Sequence, residues 1–317
     1  MNDKIKNFPI SGFTVIMGLS GLTLVFSKFA ELGWLSPLFY YSALIVVSLF
    51  FVVIAFMYLM KFLMHKDEVK QEYTHPVKIN FFPAISISLL LLSIAFEQYS
   101  TVISQYLWWP GVILHTFFMF KAVSYWIEHN YQINHFNPAW FIPAVGNVLV
   151  PVSAGVIIPE IVNYFYFSSG IFFWIILFAI FINRVVFYGQ LPQKFIPTFF
   201  ILIAPPAVGF VSYMKIFDSW DPFSMFLLMM GMFFLLLLMF MIKSFTRLKF
   251  YMSWWAFTFP LTAITVAMAR AYEVTGEAGY MNISKILAVI AVIVIAIVAF
   301  QTFKSVSRGE ICVMEEE

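Results

Sequence analysis

The chain has 317 residues, 62% of them hydrophobic and only 11% charged, with a mean hydropathy of +0.91 and a formal net charge of +2. That composition excludes a soluble globular domain, because most of these side chains must face lipid or other buried helices. The near-neutral charge gives no basic field for nucleic acid, so none is expected as a partner.

With about twenty apolar residues taken as one crossing, ten transmembrane spans are expected, near 12–29, 38–62, 82–98, 101–125, 139–158, 168–188, 196–214, 221–242, 252–270 and 283–303. The apolar runs are continuous rather than alternating, which predicts an all-α integral membrane fold and not an outer-membrane barrel. The polar stretch before the first span is short. That span ends in Ser27-Lys28 without a small-residue cleavage pattern, so no cleaved leader is expected.

Between the second and third spans, Lys66 to Pro76 carries mixed charge and reads as a solvated loop. His129 and His135 flank another loop. Without Cys, Asp or Glu at ligand spacing beyond Glu128, they read as solvated histidines, and no metal or cofactor is expected. Trp108-Trp109 and Trp254-Trp255 fall at span ends and read as interfacial anchors. Glu97 and Glu160 sit at outer span ends and could tune an entrance, but a surface carboxylate needs no special role. Residues 305–317 form a short tail that is expected to fray. It holds Cys312, the only cysteine, which can form no disulfide within the chain.

Orientation follows from lysine and arginine. If both termini are cytoplasmic, the inner set comprises Lys4, Lys6, Lys61, Lys66, Lys70, Lys78, Lys121, Arg184, Lys194, Lys243, Arg247, Lys249, Lys304 and Arg308. Only Lys28, Lys215, Arg270 and Lys285 fall outside. Fourteen against four fixes the expected topology.

Odd-numbered spans repeat one phrase: Phe8-Pro9, Phe82-Pro83, Phe141-Ile142-Pro143 and Phe195-Ile196-Pro197, with steps of 74, 60 and 54 residues between the prolines. A fifth odd span begins near Met252. Helical hairpins at such a period predict five similar units around an axis. Pro151, Pro205, Pro206 and Pro260 lie inside odd spans, as do Gly18, Gly21, Gly146, Gly155 and Gly209, whereas Pro110 alone lies inside an even one. Proline kinks a helix and frees a carbonyl that needs protein or water nearby. Odd helices are therefore expected at the centre, and the Phe-, Leu- and Ile-rich even helices at the lipid rim.

The cores of the odd spans contain no Asp, Glu, Lys, Arg or His. Lys121 and Arg184, near even spans, can reach the inner surface along their own stems. An intramembrane enzyme needs a general base or a metal cluster, and a proton-coupled transporter needs ionisable residues along its path. Neither pattern is present at the centre.

Four runs then carry a resemblance. They are Glu68-Val69-Lys70-Gln71-Glu72-Tyr73-Thr74-His75-Pro76-Val77, Phe141-Ile142-Pro143-Ala144-Val145, Ala204-Pro205-Pro206-Ala207-Val208 and Trp255-Ala256-Phe257-Thr258-Phe259. In this order across the spans, from about Phe8 to Lys304, the chain resembles the TehA tellurite-resistance and plant slow-type anion channel family. The resemblance implies five hairpins in quasi-fivefold symmetry, odd helices lining a pore, and a homotrimer with one pore per protomer in a bacterial plasma membrane. It further implies a phenylalanine on the ninth helix that blocks the pore, which by position is Phe259. Most of the 40 phenylalanines simply pack or touch lipid, but Phe259 precedes Pro260, whose kink is expected to fix the ring's direction. The pore wall is expected to include Phe13, Met17, Ser86, Gly146, Val208 and Pro260. The first helix departs from the family pattern, reading Val15-Ile16-Met17-Gly18 where a proline is usual.

The function expected from this is passage of small monovalent anions, chloride and nitrate, through an uncharged pore. A coupled carrier or exporter of sulfite, tellurite or C4-dicarboxylate is the alternative that the resemblance also admits.

Overall fold

In the computed structural model, which describes residues 2–153 and 158–312, the chain is built from helices. The thirteen α-helices among those residues are α1 (Asn2–Lys6), α2 (Phe13–Glu31), α3 (Pro37–Met64), α4 (Lys66–Thr74), α5 (Pro83–Phe96), α6 (Thr101–Glu128), α7 (Phe141–Leu149), α8 (Glu160–Phe187), α9 (Ala204–Phe217), α10 (Pro222–Phe240), α11 (Ile242–Thr246), α12 (Thr258–Thr275) and α13 (Ala278–Ser307). Eight helical stretches are long and apolar enough to cross a membrane, so this is a multi-pass membrane protein.

Two expected crossings fall short of that measure. Helix α6 has the length, with 28 residues, but Gln105, Trp108, Trp109, Pro110 and His115 dilute its apolar character. The helical run Pro138–Val152 is short. Gly155, in the same expected span, lies outside the described residues.

Helices α2, α5, α7, α9 and α12 pack side by side in that order, and α12 returns to α2, closing a ring. Each ring helix also packs against the helix that follows it: α3, α6, α8, α10 and α13. Each of these outer helices touches the next ring helix as well, so it lies over a seam of the ring. Of the eight apolar stretches, those holding ring helices have 67–78% of an 18-residue apolar window buried, against 22–39% for the outer ones. Outer side chains such as Leu38, Ile113, Phe233 and Phe303 remain exposed. Apolar side chains that protein does not cover need lipid.

The internal prolines fall where the helix geometry changes. A 3-10 turn precedes every ring helix: Ile10–Gly12, Lys78–Phe81, Pro138–Trp140, Gln193–Ile203 and Met252–Phe257. Pro205, Pro206 and Pro260 sit in the first turn of α9 and α12, where backbone N–H groups have no partner within the helix. Pro151 lies in the 3-10 turn that ends α7. Pro205, Pro206 and Pro260 thus stand at junctions between 3-10 and α geometry inside continuous helical stretches, Gln193–Phe217 and Met252–Thr275.

Two further expectations are corrected. The stretch from Lys66 is not a solvated loop: α4 buries Val69 and Glu72 against the body of the protein. Trp108 is not an interfacial anchor, since it is fully buried and its Nε1–H donates to the Val150 carbonyl at 3.2 Å.

Close approach in the ring rests on small residues, as is usual where lipid offers no hydrophobic drive. On α2, a Cβ at Gly18 would stand 2.1 Å from Thr258 Oγ1, and one at Gly21 would stand 2.1 Å from Thr262 Oγ1. Either methyl would require the facing threonine side chain or its helix to shift.

Candidate functional site

Phe259 is the second residue of α12, just past the 3-10 turn Met252–Phe257. Its flanking hydroxyls are engaged within the helix. Thr258 Oγ1 donates to the Trp255 carbonyl at 2.7 Å, and Thr262 Oγ1 donates to the Phe259 carbonyl at 2.8 Å. The backbone around the ring is thereby held, and the ring itself is buried.

Two cavities reach this ring. One, of about 360 Å³, is lined from Phe259 towards the C-terminal ends of the ring helices, including Gly21, Leu91, Leu149, Val208 and Thr262. The other, of about 1250 Å³, is lined from their N-terminal ends and preceding turns, including Thr14, Met17, Val145, Ala204 and Pro260. The ring helices run parallel, so the cavities open at opposite ends of the ring. Among the described residues, Phe259 is the one that lines both.

Charge is confined to the mouths. The narrow cavity carries Lys28, Lys215 and Arg270 together with Glu31 and Glu97. Lys28 Nζ bridges Glu273 at 2.8 Å and Glu31 at 3.1 Å, while Arg270 bridges Glu273 at 2.5 Å and Asp218 at 3.0 Å. Arg270 lies eleven residues beyond Phe259 on α12, or ~16 Å at 1.5 Å per residue.

The wide cavity is framed by a buried pair. Lys61 Nζ lies 3.0 Å from Glu72 and donates to the Phe8 carbonyl at 2.8 Å, and Tyr58 Oη donates to the other Glu72 oxygen at 2.9 Å. Lys61 is only 3% exposed. These contacts join the N-terminal segment, α3 and α4. Lys6 pairs with Glu68 beside them at 3.2 Å. Ile311 and Cys312 line this same cavity, so both ends of the described chain reach it.

Of the residues expected on a pore wall, Met17 and Pro260 line the wide cavity, Val208 the narrow one and Phe259 both. Phe13, Ser86 and Gly146 line neither. The Phe13 ring packs edge-on against Tyr58, with 5.8 Å between centroids. Ser86 and Gly146 both serve His115, a buried histidine of α6. His115 Nε2 donates to the Pro143 carbonyl at 3.1 Å, and its Nδ1 lies 3.0 Å from Ser86 Oγ. A Cβ at Gly146 would stand 1.9 Å from the imidazole. Gly146 thus makes room for a side chain that ties an outer helix to two ring helices.

Sequence reading passed over His115, Lys61 with Glu72, and the contact of Gly21 with Phe259. The available signals were a histidine inside an apolar run, a lysine one turn before a helix end, and Gly18/Gly21 on one helix matched by Thr258/Thr262 on another. His135 lines the wide cavity and His129 stacks on Tyr125, their centroids 3.8 Å apart. No cluster of three or more potential metal ligands occurs among the described residues.

Residues 7–303 match the voltage-dependent anion channel family. An uncharacterized transporter of Methanocaldococcus jannaschii is 28% identical, with 86% of each chain covered. The S-type anion channel SLAH3 of Arabidopsis thaliana is also 28% identical, over 85% of this chain but 44% of its own longer one. The tellurite resistance protein TehA homolog of Haemophilus influenzae is 26% identical, over 67% of this chain and 65% of its own.

Proposed function

The chain belongs to the voltage-dependent anion channel family, and from that premise we propose that it passes small monovalent anions, chloride and nitrate among them, along the axis of the five-helix ring, with Phe259 as the gate. The family is one of anion channels, not enzymes. The observation that carries the reading is the position of one ring: two cavities enter from opposite ends, and among the described residues Phe259 alone lines both. A path closed by a single apolar side chain is shut by a hydrophobic constriction, which water and ions do not wet.

The uncharged lining beside the gate fits conduction rather than capture. A fixed cation there would hold an anion and slow its exit. Small side chains, hydroxyls and aromatic edges offer only weak sites, so an anion crosses with little to replace its water. Weakly hydrated ions then pass first: nitrate ahead of chloride, and chloride ahead of fluoride. Basic residues at the mouths raise the local anion concentration without entering the path. In this reading the wide cavity and both termini face the cytoplasm, as the lysine and arginine bias requires. The protein works as a homotrimer with one pore per chain in a bacterial plasma membrane.

Carrier transport of sulfite, tellurite or a C4-dicarboxylate is the second reading. The H. influenzae relative is named for tellurite resistance, and the M. jannaschii relative only as a transporter. Flux that saturates and follows a proton gradient would distinguish it from a channel.

The test is Phe259→Ala, recorded in planar bilayers beside the parent and Phe257→Ala. Anion current is expected to rise by an order of magnitude or more, in steps that belong to single subunits when mutant and parent chains are mixed. If Phe259→Ala conducts no more than Phe257→Ala, the gate assignment is wrong.

A further inference from the structure

The gate ring has a seat on the neighbouring helix. Gly21 of α2 lines the narrow cavity, and a Cβ built on it would lie 3.3 Å from Phe259 Cδ2, 3.0 Å from Thr262 Cβ and 2.1 Å from Thr262 Oγ1. The edge of the ring therefore rests where Gly21 lacks a side chain. Thr262 cannot simply turn aside, because its hydroxyl is bonded back to the Phe259 carbonyl at 2.8 Å and the Thr258 carbonyl at 3.3 Å.

We infer that Gly21 is a positioning residue for the gate: its bare backbone is the niche that holds the Phe259 ring across the path, and the size of residue 21 sets how firmly the pore stays shut. This rests on the gate reading above. In the structure the ring lines both cavities, which on the gate reading is the closed arrangement. A methyl at residue 21 disfavours that arrangement and has no equal effect on one with the ring swung away. Interactions that differ between two states shift their populations, so the methyl favours conduction.

The molecule supplies its own control. Gly18, one turn earlier on α2, meets Thr258 as Gly21 meets Thr262, with its notional Cβ 2.1 Å from Oγ1 and 2.9 Å from Cβ. Its third neighbour is Trp255 Cε3 at 3.0 Å rather than the gate ring. Gly18→Ala thus strains the same helix crossing, with Thr258 and Trp255 rather than Phe259 as the nearest neighbours of the added methyl.

The experiment records Gly21→Ala, Gly18→Ala, Phe259→Ala and the pair Gly21→Ala/Phe259→Ala in planar bilayers, with assembled protein quantified for each. Basal conductance of Gly21→Ala is expected to rise several-fold, short of Phe259→Ala, while Gly18→Ala conducts as the parent does. The pair should match Phe259→Ala alone, since the niche has no ring to hold. Equal changes in Gly18→Ala and Gly21→Ala, no rise in Gly21→Ala, or a full further rise in the pair would each overturn the inference. If Gly21→Ala does not assemble, Gly21→Ala/Thr262→Ala is compared with Thr262→Ala. Without Oγ1 the severe clash is gone and the contact with the ring remains, so a rise sustains the inference and identity refutes it. Should Phe259→Ala itself fail to raise conductance, the gate reading falls, whereas a rise there with none in Gly21→Ala removes only the niche.

Discussion

The two mouths of the ring use the same ions in different settings. At the wide mouth, Lys61 and Glu72 are almost wholly shielded from solvent and share Phe8 and Tyr58 as further partners. At the narrow mouth, Lys28, Arg270, Glu31, Glu273 and Asp218 form a chain of contacts that grades from Lys28, with 14% of its side chain exposed, to Asp218 with 82%. A charge buried with its partner cannot lose that partner without a large penalty, because water does not replace it. An exposed pair is screened and contributes little. The wide mouth is thus built as a fixed frame and the narrow mouth as an adjustable field.

The largest expected difference is in stability. Lys61→Met leaves Glu72 buried and uncompensated, a loss of about 3–5 kcal/mol by the behaviour of broken buried pairs. It should appear as a clear drop in thermal midpoint in detergent. Lys61→Met/Glu72→Leu should recover most of that drop, since an apolar pair of similar volume no longer holds a stranded charge. Arg270→Gln, at the other mouth, should shift stability by about 0–1 kcal/mol. Equal losses for Lys61→Met and Arg270→Gln would erase the distinction between frame and field.

A smaller effect separates the mouths in conduction. In a conducting Phe259→Ala background, Arg270→Gln removes a cation from the narrow mouth while Phe8, Lys61 and α4 stay as they are. Conductance in about 20 mM salt should fall by roughly a third to a half, and the fall should fade towards 1 M, where the screening length is about 3 Å. A loss that is independent of salt would place Arg270 in the path itself.

How much of this was legible depends on the range of the interaction. The lipid-facing helices announce themselves because apolar run length is local information, and Phe-rich α10 (Pro222–Phe240) or the Ile-rich α13 needs no partner to be recognised. The lysine and arginine bias is also local, and it separates Lys28, Lys215 and Arg270, which share one cavity, from Lys6, Lys61 and Lys194, which share the other. Prolines were legible as interruptions, but their geometry was not. A proline in the first turn after a 3-10 segment and a proline in mid-helix read alike until the start of the α-helix is known. The site lay further out of reach. Phe259 could be singled out among many phenylalanines only through family resemblance, since a ring on a path and a ring in a core have the same sequence signature. Gly146 was visible as a small residue, but its reason is the His115 imidazole, thirty-one positions earlier in the chain. The burial of Glu72 was hidden because α4, with Lys66, Asp67, Glu68, Lys70 and Glu72 in nine residues, is polar by composition and folds inward through Tyr58 and Lys61 of another helix.

The smallest expected effect concerns Asp221, in the turn between α9 and α10 at the narrow-mouth end. Its carboxylate accepts from Tyr213 Oη at 2.5 Å and Ser219 Oγ at 3.0 Å, and caps α10 by accepting from the N–H groups of Phe223 and Ser224 at 2.9 and 3.0 Å. The Tyr213 hydroxyl first, then the backbone donor of Ser224, hold the carboxyl below its usual range. A depressed folded-state pKa contributes stability that is present above the unfolded value, near 3.9 for an ordinary aspartate, and lost as pH falls through the folded value. At neutral pH the contribution is complete, and it disappears only in acid below the ordinary carboxylate range. Asp221→Asn keeps an acceptor for the cap but cannot titrate. The variant should therefore melt slightly below the parent at pH 7 and approach it as the pH is lowered towards 3. The readout is the difference in thermal midpoint between the two proteins across that range, and a difference that does not narrow would mean that the Asp221 charge has no part in fixing the start of α10.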